Sequence, residues 1–274
     1  MSIIACSTSV RCGSTFEEAL ASISSAGFRY VDILTIDGWV HVHTSKLATE
    51  QDLAEQINRS KQLLAQYSLQ PVATNSGVSP QLHDRSPEAV SRRKAETAGL
   101  MQWMKALQIN VAAIQPRQPD RSRPWEEVLD DCIASLQEQL EIAHAAGIRM
   151  ALEFHANSPF ETMEQCLRFM ERMPDMPIVY DPTHFVMQGV PLEETFVFLE
   201  RAAHVHLRDA AKDQMQVRYG TGAVDFHRVL EELKQRGYQG GFSIEYLQTD
   251  QFDVMEDAVQ LYERIIEAFP AVTI

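Results

Sequence analysis

Four side chains able to hold a hard cation stand near the ends of four strand-like segments in the second half of this chain. They are Glu153 in RMALEFH, Asp181 in PIVYDPTH, His206 in AHVHLRD and Glu245 in GGFSIEY. Successive members are separated by about one strand-plus-helix unit, so a parallel barrel would bring all four to its C-terminal rim, where barrel active sites are built. Three carboxylates and one imidazole suit a hard or borderline divalent ion: Mn²⁺, Mg²⁺ or Co²⁺, with Zn²⁺ also compatible. Around such an ion the three carboxylates leave a negative excess, which predicts a taste for polarisable hydroxyl and carbonyl oxygens rather than a second anion.

The elements that must position these residues are legible as alternation. Strand-like runs are predicted at 3–7, 30–36, 71–75, 110–115, 149–154, 177–181, 204–207 and 242–246. Helical periodicity fills the gaps at 16–26, 53–67, 88–107, 125–146, 160–173, 192–203, 226–236 and 254–269. Gly27 and Gly147 stand where C-caps are needed, and Asp225 where an N-cap is needed. Alternating β and α segments imply a parallel sheet covered by helices. Eight such units in 274 residues predict an α/β fold closed as a single (β/α)8 TIM barrel, one domain over 1–274. An open nucleotide-binding sheet would want a glycine-rich turn after the first strand, and Ser9–Thr15 has neither GxGxxG nor a Walker pattern. Two loops are long: the polar stretch Asn75–Arg92, a candidate lid, and Asp209–Val224.

Strand parity sharpens the prediction, because successive side chains face opposite sides. Glu153 shares a face with Ala151, Asp181 with Val179, His206 with His204 and Ala202, and Glu245 with Ser243. The other parity holds Leu152, Phe154, Val205, Leu207, Ile244 and Tyr246, which suits packing against outer helices.

Composition bounds the function. A formal net charge of −14 repels nucleic acid and anionic membranes at long range, so neither is an expected partner. No apolar stretch approaches the ~20 residues of a membrane span. The stretch Met1–Ser7 has no basic region and only a short apolar run, so no signal peptide is read there. The cysteines Cys6, Cys12, Cys132 and Cys166 lack CxxC spacing and fit reduced thiols in a cytoplasmic protein.

These residues resemble the xylose isomerase-like TIM-barrel superfamily, which includes ketose 3-epimerases, hydroxypyruvate isomerase, inosose dehydratase and endonuclease IV. The resemblance covers the whole chain. It is most specific at LEFH (152–155), YDPTH (180–184), HVHLRDA (204–210), YGTGAVDF (219–226) and GFSIEY (241–246). It implies that Glu153, Asp181, His206 and Glu245 ligate one divalent metal ion and that Glu153 and Glu245 double as an acid/base pair. It implies that His184 contacts a substrate oxygen. Arg208 stands where many relatives have Lys and is the matching substrate-binding candidate.

The chemistry that follows is proton removal from carbon beside a carbonyl, with the metal acting as a Lewis acid on the enediolate. Return of the proton on the opposite face gives epimerisation, and return to the neighbouring carbon gives aldose–ketose isomerisation. Loss of a β-hydroxyl gives dehydration. The expected activity is an isomerase or epimerase of a small ketose, sugar phosphate or related polyol. The alternative is a dehydratase of a keto-inositol or keto-sugar. An endonuclease IV-type nuclease needs further histidines on the earlier strands. Those strands end in Leu34-Thr35 and Thr74-Asn75 instead. By the same analogy a homodimer or homotetramer is expected.

Weaker candidates have two readings each. His155 meets substrate or caps a loop; Gln115 and Asn75 bind a sugar or serve the strand ends; Trp39 stacks on a sugar or anchors a loop. His41 and His43 read as surface histidines. Gly220-Thr-Gly222 reads as a turn or a phosphate cradle, and Lys212 and Arg218 as solvated charges or an anion site.

Overall fold

The computed structural model describes residues 3–269. Met1 and Ser2 of the N-terminal stretch, and 270–274 at the end of the expected domain, lie outside the described residues. Nine strands run β1 (Ile4–Ser7), β2 (Tyr30–Ile36), β3 (Val40–His41), β4 (Gln70–Gly77), β5 (Val111–Ile114), β6 (Arg149–Glu153), β7 (Ile178–Tyr180), β8 (Ala202–Leu207) and β9 (Gly241–Ile244). Their order is β1-β9-β8-β7-β6-β5-β4-β2-β3, and a β1–β2 pairing closes the ring. Every pairing around the ring is parallel, which makes a closed eight-stranded (β/α)8 barrel. The extra strand β3 folds back antiparallel on β2 through a turn whose Gly38 adopts φ 76, a conformation glycine takes without steric cost.

Around the barrel lie α1 (Phe16–Ser25), α2 (Thr44–Leu47), α3 (Glu50–Gln66), α4 (Pro87–Leu107), α5 (Trp125–Ala146), α6 (Met163–Arg172), α7 (Thr183–Val186), α8 (Phe226–Gln235) and α9 (Val254–Ala268). Their starts follow their caps. Thr15 and Thr162 form capping boxes with Glu18 and Gln165, so α6 begins at Met163 rather than at Phe160. Asp225 caps α8 by accepting from the Arg228 amide at 3.0 Å. Residues 192–203 depart from expectation: Leu192–Arg201 is a 3₁₀ helix, and β8 already begins at Ala202. A 3₁₀ turn rises more per residue than an α turn, so a short segment spans the layer sooner.

The two strand faces separate as parity requires. Leu152, Phe154, Val205, Leu207, Ile244 and Tyr246 join Leu20, Ile23, Leu100, Trp103 and Val229 in the core between sheet and helices. Inside the barrel, Ala113, Ala151, Val179 and Ala203 form a separate small-residue cluster. Here one expectation is corrected. Ala203, not Ala202, joins the interior, because the β7–β8 register shifts between Ile178 and Val179.

Both long loops are tied down. The stretch read as a candidate lid is strand as far as Gly77, and beyond it the buried Arg93 donates to the Gln81 and Asp84 carbonyls. Glu96 accepts from the Ser79 amide, and Ser135 donates to the Leu82 carbonyl. In the loop after β8, the Asp209 carboxylate accepts from the amides of Ala210, Gly220, Gly222 and Val224 at 2.9, 2.9, 3.0 and 3.3 Å. Gly220-Thr-Gly222 is therefore a turn built around Asp209, whose carboxylate occupies the amides a phosphate would need.

Helix α4 packs on α2 at Gly99, where a Cβ would overlap the carbonyl oxygen of Leu47. Backbone cannot swing aside as a side-chain tip can. Gly99→Ala is therefore expected to destabilise the fold by about 1–3 kcal/mol despite the gain in helix propensity. A thermal melt lowered by several degrees checks this, and an unchanged or higher midpoint would show that the helices do not abut as described.

Candidate active site

The barrel rim brings the four candidate ligands together. One donor atom from each of Glu153, Asp181, His206 and Glu245 lies within 4.8 Å of the others, and all four residues are buried. His206 is the hub. Its Nδ1 is 2.8 Å from Glu153 Oε1 and 3.2 Å from Glu245 Oε2. Glu153 Oε2 and Asp181 Oδ2 accept no well-directed hydrogen bond among the described residues. Buried carboxylate oxygens are costly unless something compensates them. Donors held about 2.0–2.6 Å from one ion stand no more than about 5 Å apart, so this set has the spacing for a single divalent cation.

The fields within the cluster are strong. Burial pushes the Glu153 carboxyl up, against the pull of His206. Burial also works on Glu245, but His206 and Arg208 together outweigh it and hold its carboxyl at about 2. The two acids therefore differ although they face the same nitrogen. Burial would lower His206, yet Glu245 and Glu153 raise it well above the usual histidine range. His184 goes the other way, held well below that range by burial and then by His155 and Arg208, so its ring is neutral.

Arg208, expected to meet substrate, lies fully buried against the cluster. Its Nη1 donates to Glu245 Oε2 at 3.0 Å, and its Nη2 is 3.3 Å from Asp181 Oδ2 and 3.3 Å from His184 Nε2. Its guanidinium adds a positive charge beside the ligand carboxylates that the sequence count did not include. His184 Nε2 is also 3.5 Å from Asp181 Oδ2, and the His155 ring lies tilted by 39° against His184 with centroids 3.8 Å apart. Asn75 donates to Glu245 Oε1 at 2.6 Å, so it serves the site through Glu245.

Beside His155, whose ring meets His184, lies a cavity of about 540 Å³ also lined by Gln115, with Gln81, Arg117, Asn157 and Met215 among its other walls; none of the four candidate ligands lines it. Other candidates fall elsewhere. Trp39 is 43% exposed on the turn between β2 and β3 and does not line this cavity. His41 turns its Nε2 to the Arg11 carbonyl and stacks on Phe16. Arg218 pairs with Glu256 and Asp257.

One residue escaped the sequence reading. Asp32, fully buried on β2, has its Oδ2 3.5 Å from His206 Nε2, on the ring's far side from the acids. Ser243 donates to the same oxygen at 2.6 Å and is 2.7 Å from His204 Nε2. Burial and His206 lower His204 to about 3, which leaves it neutral. A carboxylate at this distance from Nε2 would favour the tautomer that keeps a proton there, leaving Nδ1 to face a bound metal. The available signal was a lone charge in the apolar run YVDILTI, at the inward parity.

Fold and site together define a (β/α)8 barrel with a carboxylate–imidazole centre at its mouth. The chain belongs to the xylose isomerase-like TIM-barrel family, whose model matches residues 20–269. It is similar to an inosose isomerase of Halalkalibacterium halodurans, 24% identical over 254 residues, covering 85% of this chain and 84% of that one. It is similar over a shorter stretch to an inosose dehydratase of Yersinia enterocolitica, 25% identical over 175 residues, 55% of this chain and 57% of that one. Among solved structures, the IolI protein with a bound zinc atom shares the fold: TM-score 0.72 and 20% identity, over 98% of this chain and 100% of that one. No helix among the described residues is long and apolar enough to cross a membrane.

If Asp32 positions His206, Asp32→Ala should weaken divalent-metal binding by about 10- to 100-fold in a calorimetric titration, and Asp32→Asn by less. A purely structural role would lower the melting temperature and leave metal affinity unchanged.

Proposed function

We propose that this protein is a divalent-metal-dependent isomerase or epimerase of a small ketose, sugar phosphate or related polyol. The observation that carries the reading is the pair of carboxylates, Glu153 on β6 and Glu245 after β9, converging on one His206 nitrogen from two sides. Glu153, Asp181, His206 and Glu245 would hold the metal, which when bound supplies Lewis-acid polarisation of a carbonyl.

The chain's own residues divide the remaining work. Glu245 is held at both oxygens, by Asn75 and by Arg208, so its position is set before substrate arrives. Glu153 keeps Oε2 without a hydrogen-bond donor among the described residues. For epimerisation one carboxylate takes the proton from carbon beside the carbonyl while the other, already protonated, delivers its own proton to the opposite face. For isomerisation the carboxylate that took the proton delivers it to the neighbouring carbon as the hydroxyl proton passes to the former carbonyl oxygen. His184, neutral and backed by His155, presents a ring to a substrate hydroxyl. The buried setting keeps bulk water from the intermediate.

The similarity to an inosose dehydratase favours a second reading, loss of a β-hydroxyl from the same intermediate. Proton NMR in D₂O on the Mg²⁺-loaded protein, with ketoses, keto-inositols and their phosphates, tests both. Metal-dependent loss of the C–H signal beside a carbonyl supports enolisation, and the product distinguishes epimer, isomer and dehydrated ketone. No exchange with any of them counts against both readings.

Two variants probe the assignment. Glu245→Gln should reduce turnover by about 10²–10⁴-fold, the usual contribution of a positioned acid or base. His206→Ala should weaken metal binding more than Glu245→Gln does. Normal activity in both variants would end the account.

A further inference from the structure

The mouth cavity contains a cation with no counter-charge. Arg117, in the loop after β5, lines it beside Gln81, Gln115, Gln118, His155 and Asn157, and no carboxylate is among the lining residues. Nearby arginines are neutralised: Arg121 pairs with Glu161 at 2.9 Å, Arg123 with Asp131 at 2.8 Å, and Arg85 with Glu138 at 3.0 Å. Arg117 forms no ion pair among the described residues.

Its seat is built. Arg117 adopts φ 63, a left-handed conformation that costs a non-glycine residue energy and persists where the surroundings hold it. Gln81 Oε1 accepts from the Gln118 amide at 2.8 Å and pins the chain just beyond. Gln81 is itself fixed, because the buried Arg93 binds its carbonyl. A Cβ on Gly77, at the end of β4, would lie 3.1 Å from Arg117 Nη1 and 3.1 Å from Ile36 Cγ2, so the guanidinium lies close against the glycine and an added methyl would make it give by a few tenths of an ångström.

We propose that the substrate carries an anionic group, carboxylate or phosphate, which Arg117 holds while the ketose end faces the acids. The proposal rests on the isomerase, epimerase or dehydratase reading above and narrows its substrate class. Arg208 already pairs with two of the ligand carboxylates, which reduces the negative excess that would turn an anion away. The chain's net charge of −14 opposes anions at long range, which makes an uncompensated cation at the mouth matter more. The side-chain amides of the lining residues Gln115, Gln118 and Asn157 can add donors, and Met187 and Met215 add apolar wall for a carbon chain.

The test uses three ligands identical at the ketose end: D-fructose, D-fructose 6-phosphate and D-fructuronate. Calorimetric dissociation constants are measured on the Mg²⁺-loaded protein, on Arg117→Gln and on Gly77→Ala. One or both anionic ligands should bind about 10- to 100-fold more tightly than fructose, the range of a charge-assisted hydrogen bond, and which one does so separates phosphate from carboxylate. Arg117→Gln should erase that advantage while leaving metal affinity and melting temperature unchanged. Gly77→Ala, which keeps the charge but crowds its seat, should reduce it severalfold. Equal binding of all three ligands overturns the proposal, as does no binding of either anion. An advantage that survives Arg117→Gln also overturns it, since the metal would then be holding the anion. Deuterium exchange on the same samples keeps the two ideas apart: an Arg117-dependent preference without exchange upholds the anion site and removes the proton-transfer reading. Exchange without charge preference does the reverse.

Discussion

Four carboxylates, Glu153, Asp181, Glu245 and Asp32, are buried within the barrel around one imidazole, and the site depends on their compensation. Burying ionised groups costs several kcal/mol each unless partners offset the loss of water. His206 meets three of them, on both of its nitrogens, and Arg208 meets Asp181 and Glu245. No single residue here is separable from the rest. The arrangement is poised for a further positive charge, which is why it reads as a metal centre rather than as a set of structural ion pairs.

The barrel makes that arrangement attainable. Parallel strands deliver side chains from distant parts of the sequence to one rim, and the small residues Ala113, Ala151, Val179 and Ala203 fill the interior beside them. The rim loops are then braced by polar contacts of their own. Asp209 gathers four amides of the loop after β8, and Arg93 and Glu96 hold the loop after β4 from helix α4. A mouth secured in this way can be shaped to discriminate among substrates, since its walls need not be ordered at the moment of binding.

Legibility in the sequence followed sequence range. Strand parity has a strict period of two, so the inward positions of Glu153, His206 and Glu245, and the outward positions of Leu152, Val205 and Ile244, could be read directly. The same rule failed at Ala202, where a register shift between β7 and β8 exchanged it for Ala203; a shift of that kind is set by the neighbouring strand. Asp32 was missed for a related reason. Its approach to His206 exists only because closure of the barrel through the β1–β2 pairing brings β2 within reach of β8, and a lone aspartate in a strand does not announce its partner.

The sequence by itself determined the barrel, the order of its main strands along the chain and the four candidate donor residues that the rim brings together, because hydrophobic alternation and spacing are local and additive. Tertiary structure alone decided the electrostatics. It turned Arg208 inward onto Asp181 and Glu245, set Asn75 on Glu245, placed Asp32 behind His206 and left Arg117 bare at the mouth. Charge interactions depend on distance and on the surrounding dielectric, and neither exists until the chain has closed on itself.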